Sequence, residues 1–555
     1  MSTSKHIDKI CVVVAVCMLV ITVLFTKGKS LGIKSVVDED SEAFEDSAYF
    51  TNNDRLKDWD SSDATTITLK GNKAKIKGKG AYQNKDKVVI AGGGKYVLTG
   101  NWDDGSIVVE AYESSKVYLM FDGVSVNCSD NAALMIKEAD KVFLTLKEGS
   151  TNSLVSGSDF SEEAMEDGIG GAIFARDDLT VNGSGNLTIQ SGYKHGIDAN
   201  DDLVITGGSL SITAEKDGIH VNDSFRMMEA DLSIDAGDEG IAVTGDEGYF
   251  YAESGSVSVK SNDDAIHAVS DVTIVGGDYL ISAADDGIHS DQHILIEGGN
   301  FEITECYEGL EAGIIDVTGG ELMIYPTDDG MNAFGDDPCI TISGGKTVII
   351  NQDARDADGL DSNGDIFING GEVYVSLPGD GSNNALDFGT ENGGICEING
   401  GTVLACGGNA MMEELSDTSA QCSVMYNLTE SVTDGSVVTL MDAGGNELFT
   451  YEVPVGFNSL ILSFPEMKQG ETYSLQMGEQ TEEITLDSVA TLYGTAGGFP
   501  GGFPGDGNGG PGGAPPDGDG GPGNDSFNRE DGLGEKPVDK DDNRPDKPDE
   551  TETQE

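Results

Sequence analysis

The sequence predicts an all-β protein, a right-handed parallel β-helix with three strands in each coil of about 22 residues. Three observations indicate this fold class. A motif of acids, glycine and isoleucine, such as "DDGIHS" at residues 285–290, recurs at intervals of 21 to 29 residues. Glycine pairs lie between the copies, and short strands of alternating apolar and polar residues connect the two. The corner of the motif holds Gly196, Gly218, Gly240, Ala265, Gly287, Gly309, Gly330, Gly359 and Ala385.

Short strands of this kind cannot bury an apolar face alone, so successive coils must stack. A unit of about 22 residues leaves no room for a helix, and parallel crossovers are nearly always right-handed. A β-propeller blade needs roughly 40 residues, and leucine-rich repeats show leucine and asparagine columns that the sequence lacks. A solenoid is therefore the expected architecture.

The chain divides into five predicted segments. Residues 1–35 form a membrane signal anchor or signal peptide, because residues 10–25 are an unbroken apolar run between lysines. Residues 36–63 are a linker, and residues 64–426 form the β-helix. Residues 427–493 carry longer strands with hairpin turns, which predict a small antiparallel β cap. The glycine- and proline-rich residues 494–555 are expected to be a linker and an acidic disordered tail.

The composition is strongly acidic, with 99 aspartates and glutamates, 32 lysines and arginines, and a formal charge of −67. A polyanion repels phosphate backbones, so we do not expect nucleic acid as a partner. Cations, neutral sugars and anions bridged by cations remain. With the N-terminal apolar run, these features predict an extracytoplasmic protein, secreted or anchored to the membrane at the cell surface by its N-terminal segment.

Equivalent residues of successive coils lie about 4.8 Å apart, so the residue before each corner forms a column. This corner column holds His195, Asp217, Glu239, Asp264, Asp286, Glu308, Asp329, Asp358 and Asn384. A second column, three residues later, holds Asp198, His220, Ala242, His267, His289, Glu311, Asn332, Asp361 and Asp387. Two carboxylates about 5 Å apart repel by roughly 3 kcal/mol at an effective dielectric constant near 20, so a counter-charge is needed.

Calcium is the predicted counter-ion, because it binds six to eight oxygens from carboxylates, carbonyls and water. We expect ligands among Asp217, Glu239, Asp264 and Asp286. Further acids and amides precede the next strand of several coils, namely Asp201, Asp202, Asn222, Asp223, Asp271, Asp291, Asn363 and Asp365. The alternative is that such side chains only cap turns. The histidines of the columns are expected to stack or to donate to sugars rather than to bind a transition metal.

Lys194 and Lys216 occupy the same position one coil apart, two residues before the corner glycine. Beside bound calcium, such a lysine suits the base of a lyase that abstracts the proton next to a uronic carboxylate. The alternative, which we favour, is that the two lysines balance charge within the acid column.

Four stretches carry a family resemblance: "GKYVLTGNWDDGSIVVEA" (94–111), "AALMIKEADKVFLTLKEGSTNSL" (132–154), "GAIFARDDLTVNGSGNLTI" (171–189) and "HGIDANDDLVITGGSLSIT" (195–213). Over roughly residues 64–490 the chain resembles the clostridial-type carbohydrate-binding proteins built on a right-handed parallel β-helix, which are related in fold to polysaccharide lyases. The resemblance implies a calcium-binding surface protein that holds plant or microbial polysaccharide. The metal ligands that it implies are Asp177, Asp178, Asp201, Asp202, Asn222 and Asp223. The wider spacings after Gly330 and Gly359 depart from a regular ladder.

Three functions follow as predictions. The first is calcium-dependent binding of a polysaccharide, either an acidic plant glycan such as polygalacturonate or a neutral one such as cellulose. Its expected sugar contacts are the tyrosines, as stacking platforms, and the column histidines, as donors: Tyr193, Tyr251, Tyr279, Tyr307, His220, His267 and His289. The alternatives are a calcium-dependent polysaccharide lyase acting on acidic glycan and a structural surface adhesin or spacer.

Overall fold

The structure, a computed structural model, describes residues 48–352, 357–380, 382–410 and 412–494. Its regular structure is almost entirely β-strand, arranged as a solenoid of about 12 coils with a small antiparallel sheet near the C-terminus. The predicted all-β fold class, a parallel β-helix with a C-terminal β cap, is confirmed. The described helices are one α-helix, Glu162–Glu166, and one 3-10 helix, Thr390–Asn392.

Three parallel sheets run along the solenoid, and each coil contributes one strand to each sheet. The first sheet begins just after the acid column of each coil. Its strands are Lys87–Ile90, Ser106–Glu110, Leu134–Glu138, Gly171–Ala175, His195–Ala199, Ile219–Val221, Ile241–Val243, Ile266–Ala268, the starts of Ile288–Ile296 and Leu310–Val317, Met331–Ala333, Leu360–Ser362 and Leu386–Phe388.

The second sheet follows the first within each coil. Its strands are Thr65–Gly71, Gly94–Trp102, Lys116–Cys128, Lys141–Leu146, Leu179–Gly183, Leu203–Ile205, Ser224–Met227, Tyr249–Ala252, Asp271–Ile274, the ends of Ile288–Ile296 and Leu310–Val317, Cys339–Ile342, Asp365–Ile368 and Cys396–Ile398.

The third sheet completes each coil, and the end of Lys116–Cys128 also pairs with its first strand. Its strands are Thr151–Ser156, Asn186–Ser191, Ser209–Ala214, Ala230–Ala236, Gly255–Lys260, Asp278–Ser282, Asn300–Cys306, Glu321–Pro326, Lys346–Ile350, Glu372–Ser376 and Thr402–Gly407.

The core is a set of stacked apolar columns between the three sheets. One column of the first sheet holds Ile173, Ile197, Ile219, Ile241, Ile266, Ile288 and Leu310, which pair in register and are fully buried. Full burial of such a side chain contributes about 1.5–3 kcal/mol. Because each residue packs on its equivalents one coil away, the repeat in the sequence becomes continuous burial in the structure.

The corner glycine allows successive coils to approach closely. A Cβ atom on Gly330 would lie 2.5 Å from the carbonyl oxygen of Gly359 and 2.6 Å from Cδ1 of Ile349. The same residue donates its N–H to the carbonyl of Asp358 at 2.9 Å. The periodic glycine in the sequence therefore reflects a contact between backbones rather than a need for positive φ.

Antiparallel strands close both ends of the solenoid. At the N-terminal end, Lys73–Lys77 pairs with the first strand of the second sheet, and Ala81–Asn84 pairs with Lys87–Ile90. At the C-terminal end, Ser459–Ser463 pairs antiparallel with Thr402–Gly407 and also with Ser423–Asn427, which pairs in turn with Ala490–Tyr493. Antiparallel strands at these positions protect sheet edges that would otherwise remain unpaired.

The β cap itself is a four-stranded antiparallel sheet of Ser436–Met441, Glu447–Val453, Thr472–Met477 and Gln480–Thr485. Its apolar residues share one cluster with Val348, Tyr374 and Leu404. The rings of Tyr374 and Tyr451 stack with centroids 4.3 Å apart. The cap is therefore packed on the outer side of the third sheet at the last coils.

Residues 49–60, here called the N-terminal strap, lie along the outer side of the second sheet. Tyr49 stacks on Tyr251 with 3.6 Å between ring centroids, and Phe50 is buried in the same cluster. Further along the strap, the indole nitrogen of Trp59 donates to the hydroxyl of Thr145 at 3.0 Å. Residues 36–63 are predicted to be a linker, but residues 49–60 of this segment pack against six strands of the solenoid.

No helix among the described residues is long and apolar enough to cross a membrane. The apolar run at residues 10–25 and the tail from residue 495 lie outside the described residues. The N-terminal anchor therefore stays a prediction.

Candidate functional site

The two predicted columns lie side by side on the outer edge of the first sheet. Backbone pairing joins Asp198, His220, Ala242, His267, His289, Glu311, Asn332, Asp361 and Asp387 in that order. In the corner column, the glycine of one coil donates its N–H to the carbonyl of the acid in the next, as Gly287 does to Glu308 at 2.9 Å. The predicted order of both columns is confirmed. We call this surface the acid–histidine face.

Most of the corner carboxylates are buried, and four of them, Asp264, Asp286, Asp329 and Asp358, cap the following coil. Oδ1 of Asp264 accepts the N–H of Asp286 at 3.0 Å, and Oδ1 of Asp286 accepts that of Glu308 at 3.2 Å. Asp329 and Asp358 accept the N–H of the next corner residue at 2.6 Å each. Turn capping, the alternative role in the sequence analysis, is therefore present.

Capping uses only one oxygen of each carboxylate. Oδ2 of Asp264 is buried without a hydrogen-bond partner among the described residues, and Nδ1 of His289 lies 3.6 Å from it. A buried carboxylate oxygen without a partner is costly. The column therefore offers oxygen atoms to a cation in addition to its capping bonds.

The later coils form an acid end, which comprises Glu308, Glu311, Asp329, Asp358, Asp361 and Asp387. Burial, and then the carboxylates of Glu311 and Asp286, raise the pKa of Glu308 to about 10. Burial and the neighbouring Asp361 raise the pKa of Asp329 to about 8. Among the described residues, no salt bridge reaches Glu308, Asp329 or Asp358. Within the described part of the chain, the repulsion between these three carboxylates is thus not offset by an ion pair, whereas Oε2 of Glu311 lies 3.0 Å from Nδ1 of His289.

The earlier coils form a histidine end. Nδ1 of His195 and Nδ1 of His220 lie 2.9 and 2.8 Å from Oδ2 of Asp217, with their rings stacked at 4.4 Å. Burial alone would raise the pKa of Asp217, but the two imidazoles hold it well below its usual range. Burial would lower the pKa of His267, but the carboxylates of Asp291 and Glu239 raise it to about 9. Here imidazoles supply the counter-charge.

Acidification should stabilise the metal-free protein between about pH 9 and pH 5. Asp264, whose pKa burial and Asp286 raise to about 7, and the two acids Glu308 and Asp329 bind protons in the folded state that they release on unfolding. Stability falls as pH rises wherever the native state binds more protons, and the raised pKa of His267 acts in the same direction. Thermal unfolding in chelator at pH 5, 7 and 9 measures the slope. A melting temperature that rises toward pH 9 would contradict this reading.

The ligands implied by the family resemblance lie at the start of the second sheet rather than on the acid–histidine face. Asp178 and Asp202 are equivalent residues of successive coils. Asp178 lies 3.9 Å from the ammonium of Lys141, and Asp202 forms an ion pair with Arg226. Oδ2 of Asp177 accepts the N–H of Ala139 at 3.0 Å.

Two further members of this implied set lie one coil on. Oδ1 of Asn222 accepts the hydroxyl of Thr244 at 3.5 Å, next to Asp223 in the turn. Asp201 lies in the equivalent turn of the preceding coil, beside Asp202. Basic side chains thus already partner part of this set.

The tyrosines predicted as stacking platforms differ in exposure. Tyr251 is only 8% exposed because Tyr49 of the strap covers it, and Tyr279 is buried against Phe301 at 4.5 Å. These two rings present no free face to a sugar. Tyr193 is half-buried against Phe160, and Tyr307 is 40% exposed.

The two lysines of the lyase alternative are neighbours in the structure. The N–H of Lys216 donates to the carbonyl of Lys194 at 3.0 Å, which places them on successive coils. The ammonium of Lys194 lies 5.9 Å from the ring centroid of Tyr193. Lys216 lowers the pKa of Asp238, although burial and nearby acids raise it overall, which agrees with a role in charge balance.

Glu308, Asp329 and Asp358 belong to the predicted corner column but are not among the predicted metal ligands. A signal for them was present, because the last coils of the columns contain no histidine. The strap, in contrast, carried no periodic signal that would have indicated its position on the second sheet.

The known proteins that are similar to this chain include one solved structure and one relative with a related sequence. The structure titled as the polysaccharide lyase-like protein from C. thermocellum, gadolinium derivative, has a TM-score of 0.39 and 28% identity, covering 45% of this chain and 96% of that chain. A carbohydrate-binding domain-containing protein of Acetivibrio thermocellus is 41% identical over 201 residues, which are 35% of this chain and 70% of that relative.

A sequence profile of carbohydrate-binding domain-containing proteins matches residues 84–330 and 270–409. The matched segments include every coil that contributes to the acid–histidine face. Because they span more than half of the chain, and because the relative of Acetivibrio thermocellus is matched over most of its length, the protein belongs to the family of carbohydrate-binding domain-containing proteins.

Proposed function

We propose that the protein binds a polysaccharide lengthwise along the acid–histidine face and that calcium ions at its acid end are required for binding. Family membership supports carbohydrate as the ligand class. The nine residues of the outer column, about 4.8 Å apart, form a polar surface roughly 40 Å long. A surface of this shape suits an extended glycan rather than a single sugar.

One observation supports the calcium part of the proposal: Glu308, Asp329 and Asp358 follow one another on successive coils, and among the described residues none of these three carboxylates forms an ion pair with a basic side chain. Glu308 and Asp329 are buried there, Asp358 is partly buried, and the outer column adds Glu311, Asp361 and Asp387. Calcium prefers such oxygen donors and tolerates irregular geometry. Bound calcium would remove the repulsion that raises the pKa of Glu308 and Asp329.

Four residues of the corner column, Asp217, Glu239, Asp264 and Asp286, are predicted as calcium ligands, and they differ in whether an imidazole already contacts the carboxylate. Imidazoles already face Asp217 and Glu239, the latter with Nδ1 of His267 at 2.9 Å. Oδ2 of Asp264 is buried without a hydrogen-bond partner among the described residues, and Oδ2 of Asp286 lies 3.3 Å from Nδ1 of His289; we include both residues in the proposed calcium-binding region. The ligands implied by resemblance at the second sheet stay a separate proposal.

Acidic plant glycans such as polygalacturonate are the proposed ligands, because a calcium ion held by protein carboxylates can also bind a uronic carboxylate. Cellulose is the neutral alternative. We further propose an extracytoplasmic location at the cell surface, with attachment to the membrane through the N-terminal segment. Both the composition and the resemblance support this location.

Retention of the full chain on immobilised polygalacturonate and on insoluble cellulose, with calcium or with chelator, tests the proposal. We expect retention on polygalacturonate with calcium and at least tenfold less with chelator. A calcium concentration 100-fold above its Kd should also stabilise the fold by about 2.7 kcal/mol. Equal retention in chelator would contradict calcium bridging, and no retention on any glycan would leave a surface scaffold.

A charge-matched pair of variants locates the calcium. The Asp329→Asn/Asp358→Asn variant keeps a side-chain oxygen for each capping bond but removes two charges. We expect it to be more stable than wild type in chelator and to lose calcium stabilisation and retention. The Glu482→Gln/Glu483→Gln variant, on the exposed edge of the β cap, removes equal charge and should behave as wild type.

A further inference from the structure

At the middle of the acid–histidine face, two imidazoles and a carboxylate converge. His267 and His289 are register partners on neighbouring coils, with ring centroids 4.8 Å apart. Nε2 of His267 and Nε2 of His289 each lie 3.4 Å from Oδ1 of Asp291. The side chain of Asp291 is half exposed, so the cluster faces solvent on one side.

A second set of contacts fixes the far side of both rings. Nδ1 of His267 lies 2.9 Å from Oε1 of Glu239. Nδ1 of His289 lies 3.0 Å from Oε2 of Glu311 and 3.3 Å from Oδ2 of Asp286. A carboxylate that binds Nδ1 of an imidazole orients the ring and increases the basicity of Nε2. Metal-binding histidines almost always have such a partner.

We propose that His267, His289 and Asp291 bind a first-row transition-metal dication such as Zn²⁺. Two donors about 2.1 Å from a tetrahedral ion stand roughly 3.4 Å apart, which matches both distances to Asp291 Oδ1. Imidazole nitrogen selects zinc or cobalt, whereas calcium prefers oxygen. The fourth position faces solvent, where a water or a ligand oxygen can bind.

This inference reverses the expectation that the column histidines only stack or donate to sugars. Residue types alone do not show that Oδ1 of Asp291, which follows His289 by two residues, lies 3.4 Å from Nε2 of both His267 and His289. The proposed zinc ligands are different atoms from the proposed calcium ligands, although Glu311 and Asp286, which contact Nδ1 of His289, also belong to the proposed calcium-binding region.

The other histidine pair provides a matched contrast. His195 and His220 both direct Nδ1 at buried Asp217, so the carboxylate is already shared between the rings. Nε2 of His220 lies 3.3 Å from the hydroxyl of Thr244. The two pairs therefore have the same composition but differ in geometry.

Titration calorimetry of the full chain with ZnCl₂, in a large excess of calcium, tests the proposal. We expect one tight zinc equivalent that calcium does not displace. The Asp291→Asn and His289→Gln variants should bind zinc at least tenfold more weakly, whereas His220→Gln should retain wild-type binding. Co²⁺ in place of zinc should show the intense visible absorption of a tetrahedral site in wild type and in His220→Gln only.

Three results would overturn the proposal: no zinc binding, full displacement by calcium, or binding lost in His220→Gln but retained in Asp291→Asn. Circular dichroism and melting temperature of each variant distinguish lost binding from lost folding. Asp291→Asn is the decisive variant, because its exposed side chain can change without loss of a core contact. Polysaccharide retention, measured separately, can fail without affecting this result.

Discussion

Replacement of Gly330 by valine should destabilise the solenoid by about 3 kcal/mol or more. The new Cβ would lie 2.5 Å from the carbonyl oxygen of Gly359 and 2.6 Å from Cδ1 and Cγ2 of Ile349. Neither group can move away without loss of a stabilising interaction. The Gly359 carbonyl accepts the N–H of Met331, and the side chain of Ile349 is fully buried. The steric clash thus lies between two coils, and the packing of both coils would be disturbed.

Urea unfolding, followed by circular dichroism, measures the effect. Gly330→Ala should cost less, since Ala265 and Ala385 occupy the equivalent corner in other coils. Ser211→Val, on an exposed outward position of the third sheet, is the control and should change stability by less than about 0.5 kcal/mol. An unchanged urea midpoint for Gly330→Val would show that the coils have room to separate.

Loss of the Asp54 carboxylate should release the strap. This buried side chain accepts the Thr180 hydroxyl at 2.6 Å and lies 3.0 Å from the ammonium of Lys141. It also accepts the N–H and hydroxyl of Thr51, which fixes the local turn. Burial would raise the pKa of Asp54, but Lys141 and these donors keep it below its usual value.

Asp54→Ala therefore removes the main partner of a mostly buried lysine and should cost about 3 kcal/mol. We expect hydrogen exchange at residues 49–60 to accelerate strongly, with limited proteolysis beginning there. Lys57→Ala is the control, because its ion pair with Glu229 is exposed and worth at most about 1 kcal/mol. Equal protection of the strap in wild type and Asp54→Ala would contradict the assigned role of Asp54.

The solenoid could be predicted because its determinants are local and repeated. Each corner glycine marks one coil, and alternation of residues such as Ile288 and His289 distinguishes the inner and outer sides of the strand. These two facts place His267, His289 and Glu311 in one column without further information. The wide spacing after Gly330 did not interrupt the ladder, since Asn332 still pairs with Asp361.

The strap and the chemistry of the face could not be predicted in the same way. Trp59 and Thr145 are 86 positions apart, and Tyr49 meets Arg226 across 177 positions, so no local pattern records these contacts. The same strap covers Tyr251, which explains why an aromatic residue on an outward position is buried. Pairing of particular imidazoles with particular carboxylates depends on side-chain rotamers, which the column order leaves open.

The strap also changes how the molecule can come apart. In a simple solenoid each coil is stabilised only by its neighbours, so end coils fray independently of the rest. Here one peptide segment reaches from Lys95 to Tyr251, and its contacts with coils far apart in the array are lost together. At the other end, the cap is attached to several late coils through Val348, Tyr374 and Leu404. We therefore expect the coils at either end to unfold cooperatively as a group rather than one coil at a time.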